Sequence, residues 1–224
     1  MSILSNLDLI RRVPLFSTLT QAQAESVADA VTKRRFKRGE CIVEQGKKSN
    51  FLAIVLTGRA RVVTTDARGR EVILATMNPG DYVGEMSLID NQPHSATVRA
   101  EVQTDVLILG RPEFARCLPE NTSMAYAVMK GLVQRLRYAD RKIESLALMD
   151  VYGRVARALL EFARPDKDGQ LVIRERVSRQ DVAKMIGASR EMVSRVMKDL
   201  EDRGFIEVAE DGSTIIKDRL NTLG

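Results

Sequence analysis

The chain has 224 residues, enough for two domains of ordinary size, and its 44% hydrophobic and 29% charged content is that of a soluble globular protein. It has one histidine, His94, and two cysteines, Cys41 and Cys117, far apart in sequence. That excludes an iron–sulfur cluster or a metal centre built on these residues, and reads the cysteines as small buried side chains of a reducing compartment. The formal net charge is +5 and the isoelectric point about 9.4, yet from residue 150 onward fourteen Lys and Arg balance fourteen Asp and Glu. The basic excess therefore lies before residue 150, and a nucleic-acid role must rest on individual arginines rather than on the total.

No apolar run is long enough to cross a bilayer, and the first residues are broken by Asp8, Arg11, Arg12 and Pro14. No signal peptide is visible, so a cytoplasmic protein without a membrane partner is expected. Residues 7–31 read as short helices around Pro14. Short β-rich runs follow at 41–43, 51–56, 59–65, 71–75, 95–100 and 105–109, many of them separated by glycines. Regular short strands with glycine turns predict an antiparallel roll or sandwich. Gly46-Lys47-Lys48-Ser49 has some look of a phosphate loop, but no glycine stands at the required spacing before it, so the run reads as a turn. Nothing else has the pattern of a catalytic site, and the chain does not read as an enzyme. Pro112 opens a short helix ending near Leu118.

Residues 123–148 predict one long helix, about 39 Å at the usual rise per residue. Its apolar residues, Ala125, Met129, Leu132, Leu136, Ala139, Ile143 and Leu146, alternate steps of four and three. That narrow seam asks for a second helix of the same kind, hence a homodimer with Met129, Leu132, Leu136, Ala139, Ile143 and Leu146 along its contact. The flanks carry Arg135, Arg137, Arg141, Lys142 and Glu144, and Asp140 lies beside the seam. An amphipathic helix at 150–163 and a strand at Leu171–Ile173 come next.

Ser178 and Asp181 have the spacing of a helix cap, and Val182, Ala183 and Ile186 give a short buried face that Gly187 ends. Ser189 caps the next helix, residues 190–203, which Gly204 stops. Val193, Val196, Met197 and Leu200 form its buried stripe; Arg190, Glu191, Ser194, Arg195 and Lys198 face outward. Helix, tight turn and helix, with the polar start of the second helix exposed, is the form that enters the major groove of double-stranded DNA. Arg190, Glu191 and Arg195 are residue types that suit base contacts, because arginine can make two bonds to guanine and glutamate can accept from the cytosine amino group. Arg179, Gln180, Ser189, Ser194 and Lys198 are phosphate or accessory contacts. Residues 205–208, Asp211-Gly212 and residues 214–216 complete a hairpin wing.

These motifs resemble the Crp/Fnr family of bacterial transcription regulators over nearly the whole length. Gly84-Glu85-Met86-Ser87-Leu88 through Pro93-His94-Ser95-Ala96 is similar to the family's phosphate-binding cassette, and Ser189 to Arg195 to its recognition helix. The resemblance implies an α+β chain: a cyclic-nucleotide-binding β-roll (jelly roll) at 1–119, a dimerisation helix at 120–149 and a winged helix-turn-helix at 150–224. It implies a TGTGA-like palindrome whose half-site bases Arg190, Glu191 and Arg195 read, RNA polymerase as a partner, and effector contacts at Gly84, Glu85, Met86, Ser87, His94, Ser95, Arg135, Ala139 and Asp140. His94 stands where the family has the arginine that neutralises the phosphate, and Ala139-Asp140 where cyclic AMP responders have Thr-Ser. Three readings stay open: another anionic effector such as cyclic di-GMP, a retained fold with no nucleotide, and cyclic AMP held by protonated His94. No metal or iron–sulfur cofactor is expected.

Overall fold

The structure, a computed structural model, describes residues 5–11, 13–17, 19–120, 122–175, 177–209, 211–217 and 220, with the side chains of 117–120 and 123 outside that description. It divides into two compact units, one ending at Leu136 and the other beginning at Arg137.

In the first unit, α1 (Asn6–Arg11), a 3-10 turn (Pro14–Phe16) and α2 (Gln21–Ala30) precede eight strands. These are β1 (Thr32–Phe36), β2 (Cys41–Val43), β3 (Phe51–Thr57), β4 (Ala60–Thr65), β5 (Glu71–Met77), β6 (Tyr82–Val83), β7 (Thr97–Ala100) and β8 (Thr104–Gly110). They pair antiparallel in two four-stranded sheets, β1-β8-β3-β6 and β2-β7-β4-β5. The alternation of β3 explains the layering. Ala53 and Val55 join Val98, Ala100 and Val106 in a core of residues from both sheets, while Leu52 and Ile54 join Ile10, Val27, Phe114, Met124 and Val128. That second cluster packs the helices on the outer face of the first sheet. Each fully buried Leu, Ile or Val contributes about 1.5–3 kcal/mol.

Between β6 and β7 lies α3 (Glu85–Asp90), and after β8 come α4 (Arg111–Glu120) and α5 (Thr122–Leu148). The strand at Thr32–Phe36 is unexpected from its polar sequence. It forms as the edge partner of β8, where Asp105 accepts from Lys33 and Arg35 at 3.1 and 2.7 Å. The Arg35 hydrogen bond, ahead of the opposing cost of burial, holds the Asp105 carboxyl below its ordinary range. Cys41 corrects the expectation of a buried thiol: it is exposed, because it points outward from edge strand β2 while Ile42 and Val43 point in. The Cys117 side chain lies outside the described residues.

The second unit holds the end of α5, then α6 (Val151–Phe162), β9 (Arg164–Pro165), β10 (Leu171–Ile173), α7 (Arg179–Ile186), α8 (Arg190–Asp202), β11 (Ile206–Val208) and β12 (Thr214–Ile216). Caps set the helix starts: Asp150 accepts from Gly153, Ser178 from Asp181 and Ser189 from Met192. Gly187, in the left-handed conformation, ends α7. One core joins Val155 and Leu159 of α6, Val182 and Ile186 of α7, Val193 and Leu200 of α8, and Ile206 and Ile216 of the hairpin. The wing strands lie in the sheet order β11-β12-β10-β9. No helix among the described residues is long and apolar enough to cross a membrane.

Candidate functional site

The loop from β6 into α3 is built by Gly84. Its φ of +103° is reserved for glycine in practice, and a Cβ would come within 2.5 Å of the Phe51 carbonyl oxygen. This tight turn leaves Glu85 only 1% exposed. Its Oε1 meets the Arg135 guanidinium from α5, and Arg135 also donates to the Tyr82 carbonyl oxygen. Glu85 Oε2 is buried and has no hydrogen-bond partner among the described residues. Burial pushes the Glu85 carboxyl above its ordinary range, and Arg135 offsets part of that.

His94 is 7% exposed and sits between two hydroxyls, with Nδ1 3.1 Å from Ser87 Oγ and Nε2 2.8 Å from Ser49 Oγ. Burial lowers its pKa, which favours the neutral ring. Its backbone is pinned as well: the His94 N–H donates to Lys47 and its carbonyl accepts from Gly46. The lysine-rich run at 46–49 is thus the turn that holds His94, and Ser49 is a site residue that sequence reasoning missed. Ser87 is buried, whereas Met86 and Ser95 are exposed. Gly84, Glu85, Ser87, His94 and Arg135 all belong to the first unit. Ala139 and Asp140 are exposed positions on α5, one turn or more beyond Arg135.

Tyr82 joins this loop to α5. Its hydroxyl lies 3.4 Å from the Val128 carbonyl oxygen, and Arg135 lies over its ring at 5.1 Å. Gly131 makes the contact fit, since a Cβ there would stand 2.1 Å from Tyr82 Oη. Gly131→Ala should therefore destabilise by about 1–3 kcal/mol through overpacking, more than the ~1 kcal/mol alanine gains in a helix. Urea unfolding checks this, and Tyr82→Phe in the same chain should recover part of the loss. An unchanged midpoint in Gly131→Ala would show that the notch is not tight.

Along α5, Met124 and Val128 face the unit's own core, and Leu132 is partly buried against it. Met129, Leu136 and Ile143, seven residues apart, are 55%, 62% and 64% exposed. Tyr126, Val133 and Leu146 are exposed too, and Asp140 falls at the heptad repeat of Val133.

On the second unit, α8 turns Val193, Val196 and Leu200 inward and leaves Arg190, Glu191, Arg195 and Lys198 exposed. Arg179, Ser194, Arg195 and Lys198 line one open groove of about 600 Å³ with Glu201 and Asp202. Ser189, Arg190, Glu191 and Gln180 are not part of its lining. Glu191 accepts from its own backbone N–H at the start of α8 and from Ser189, which holds its carboxyl below the ordinary range. Met192, exposed beside Arg195 with its sulfur 3.9 Å from that guanidinium, joins this face and was not singled out from the sequence. A methionine on an amphipathic helix carries no signal that tells a rim position from a core one.

Among the described residues, no group of three or more His, Cys, Asp or Glu is placed to hold a metal ion. Comparison with known proteins matches residues 33–121 to the cyclic nucleotide-binding domain and residues 153–220 to the Crp-like helix-turn-helix domain. The cAMP-activated global transcriptional regulator Vfr of Pseudomonas aeruginosa is 33% identical over 193 residues, covering 82% of this chain and 88% of Vfr. The cAMP-activated global transcriptional regulator CRP of Escherichia coli is 33% identical over 181 residues, covering 78% of this chain and 84% of CRP. Among solved structures, the c-di-GMP responsive global regulator CLP of Xanthomonas campestris superposes with a TM-score of 0.74 at 25% identity, over 88% of this chain and 98% of CLP. With a cyclic-nucleotide-binding roll, a long helix and a capped helix pair with its wing in the order those relatives share, the chain belongs to the Crp/Fnr family of DNA-binding transcription regulators.

Proposed function

We propose that this regulator binds a TGTGA-like palindrome as a homodimer and answers to a cyclic nucleotide held in the roll. The observation that carries the DNA half is the outward face of α8, where Arg190, Glu191 and Arg195 stand free of the core while Val193, Val196 and Leu200 anchor the helix. Arginine and glutamate at the start of a recognition helix suit guanine and the cytosine amino group. Arg179, Ser194 and Lys198, in one groove with Arg195, suit the backbone, and Gln180 and Ser189 lie at the starts of the two helices. The exposed heptad positions Met129, Leu136 and Ile143 support a second copy of α5 as their cover. RNA polymerase is the protein partner that kinship implies.

The effector half rests on Glu85: one buried oxygen has no partner among the described residues, and the other is held by a cation. A ligand hydroxyl would satisfy that oxygen, and Arg135 would face a ligand anion. Cyclic AMP and cyclic di-GMP are the two effectors that the relatives' names offer. Neutral His94 gives the phosphate no second full charge. A gel shift separates the readings. The protein should retard a TGTGA palindrome over a scrambled duplex, and one of the two nucleotides should change that affinity. Equal retardation of both duplexes would overturn the sequence-specific reading.

A further inference from the structure

Arg111, at the start of α4, touches the cassette from outside the residues so far assigned to it. Its guanidinium donates to the Ser87 carbonyl oxygen at 2.9 Å and to the Leu88 carbonyl oxygen at 3.1 Å, and it reaches Asn91 Oδ1 at 3.4 Å. The Ser87 and Leu88 carbonyls belong to the last turn of α3, which closes on Asn91 in the left-handed conformation, its N–H donating to the Ser87 carbonyl oxygen. The backbone N–H of the same Arg111 donates to the Asn50 carbonyl oxygen at 2.8 Å. Asn50 follows Ser49, whose hydroxyl meets His94 Nε2, and Ser87 supplies the hydroxyl at His94 Nδ1. The contacts close on themselves: Arg111, Asn50, Ser49, His94, Ser87 and back to Arg111.

We propose that Arg111 is a positioning residue of the effector pocket, whose guanidinium stations His94 by fixing Ser87, one of the two serines that flank its ring. This rests on the reading of the roll as a nucleotide pocket. Without that guanidinium the Ser87 and Leu88 carbonyl oxygens and Asn91 Oδ1 lose their shared donor, and Ser87, its carbonyl held by the Asn91 N–H alone, can shift from the imidazole. The ring then gains water and its preference for the neutral form weakens, in line with burial being what lowers its pKa.

The chain has a single histidine, so carbon-13-labelled histidine gives one signal to follow in the full-length protein. In Arg111→Gln the titration midpoint of that signal should rise from its depressed value toward the ordinary ~6.5, and Arg111→Lys should fall between the two. Calorimetry with cyclic AMP and with cyclic di-GMP should show about a tenfold loss of affinity in Arg111→Gln for whichever nucleotide the native protein binds, the size of one broken hydrogen bond. A midpoint that stays put in both variants would overturn the assignment, whatever the nucleotides do. If neither nucleotide binds the native protein, the effector reading fails, and the His94 midpoint still decides the role of Arg111. If Arg111→Gln does not fold, the milder Arg111→Lys carries the same test.

Discussion

Arg135→Ala is expected to destabilise the roll by about 2 kcal/mol at neutral pH and to abolish measurable nucleotide binding. Removing one partner of a fully buried ion pair costs about 3–5 kcal/mol, because the other charge is left uncompensated. Here Glu85 is 1% exposed, but the Arg135 side chain keeps 44% of its surface, so the loss falls below that range. The pH dependence has a definite sign. Burial already raises the Glu85 pKa in the folded state, so the folded chain holds that proton more tightly than the unfolded chain does. Ionised Glu85 therefore costs stability increasingly as pH rises from the unfolded value, about 4.3, through the folded one. Without Arg135 the folded value rises further, and the window widens. The deficit of the variant should be largest at neutral pH and should shrink as the pH approaches 4. Glu85→Gln in the same chain should recover much of the stability and none of the binding. Urea unfolding at the two pH values checks both points; a deficit independent of pH would mean that Arg135 acts by packing on Tyr82 alone.

Arg190→Ala should weaken binding to the palindrome by roughly 1–3 kcal/mol and relax the preference at one base pair of each half-site. Lys198→Ala should behave differently. Removing a positive charge that faces a phosphate lowers affinity for every sequence alike and reduces the slope of log affinity against log salt by about one. Binding measured on the palindrome and its single-base variants over a range of salt separates the two kinds of residue. A uniform loss in Arg190→Ala would remove it from the base readers.

The parts of this molecule that sequence reveals are those whose determinants are local. Ser178, Gly187 and Ser189 punctuate the helix pair within a dozen residues, and each acts where the caps were expected. Strand Thr32–Phe36 shows the opposite case: four of its five residues are exposed, and it exists because β8 offers a ladder and Asp105 a counter-charge about 70 residues away. The β6 pair Tyr82–Val83 is too short for any periodicity to register. Heptad spacing on α5 predicts a seam but cannot divide two overlapping apolar faces. Leu132 turns partly toward its own core, while Val133, outside the expected set, is exposed.

Around the loop from β6 into α3, Gly84, Glu85 and His94 are legible from their motif. Ser49 and Arg111 are not, because loop closure brings them to His94 and to Ser87 across 45 and 24 positions. The consequence is chemical. The two nitrogens of His94, the residue expected in place of a phosphate-binding arginine, are taken by serines, and Arg135 is the cation joined to Glu85.

In the proposed regulator, nucleotide in the roll and DNA on α8 are energetically linked. Such a link is reciprocal: the factor by which nucleotide changes DNA affinity must equal the factor by which DNA changes nucleotide affinity. Calorimetric titration of cyclic AMP and of cyclic di-GMP into the protein, alone and saturated with the TGTGA palindrome, measures it directly. One nucleotide is expected to bind, and the palindrome to shift its affinity by about 5–150-fold. Identical affinity with and without DNA, for every nucleotide that binds, would contradict it.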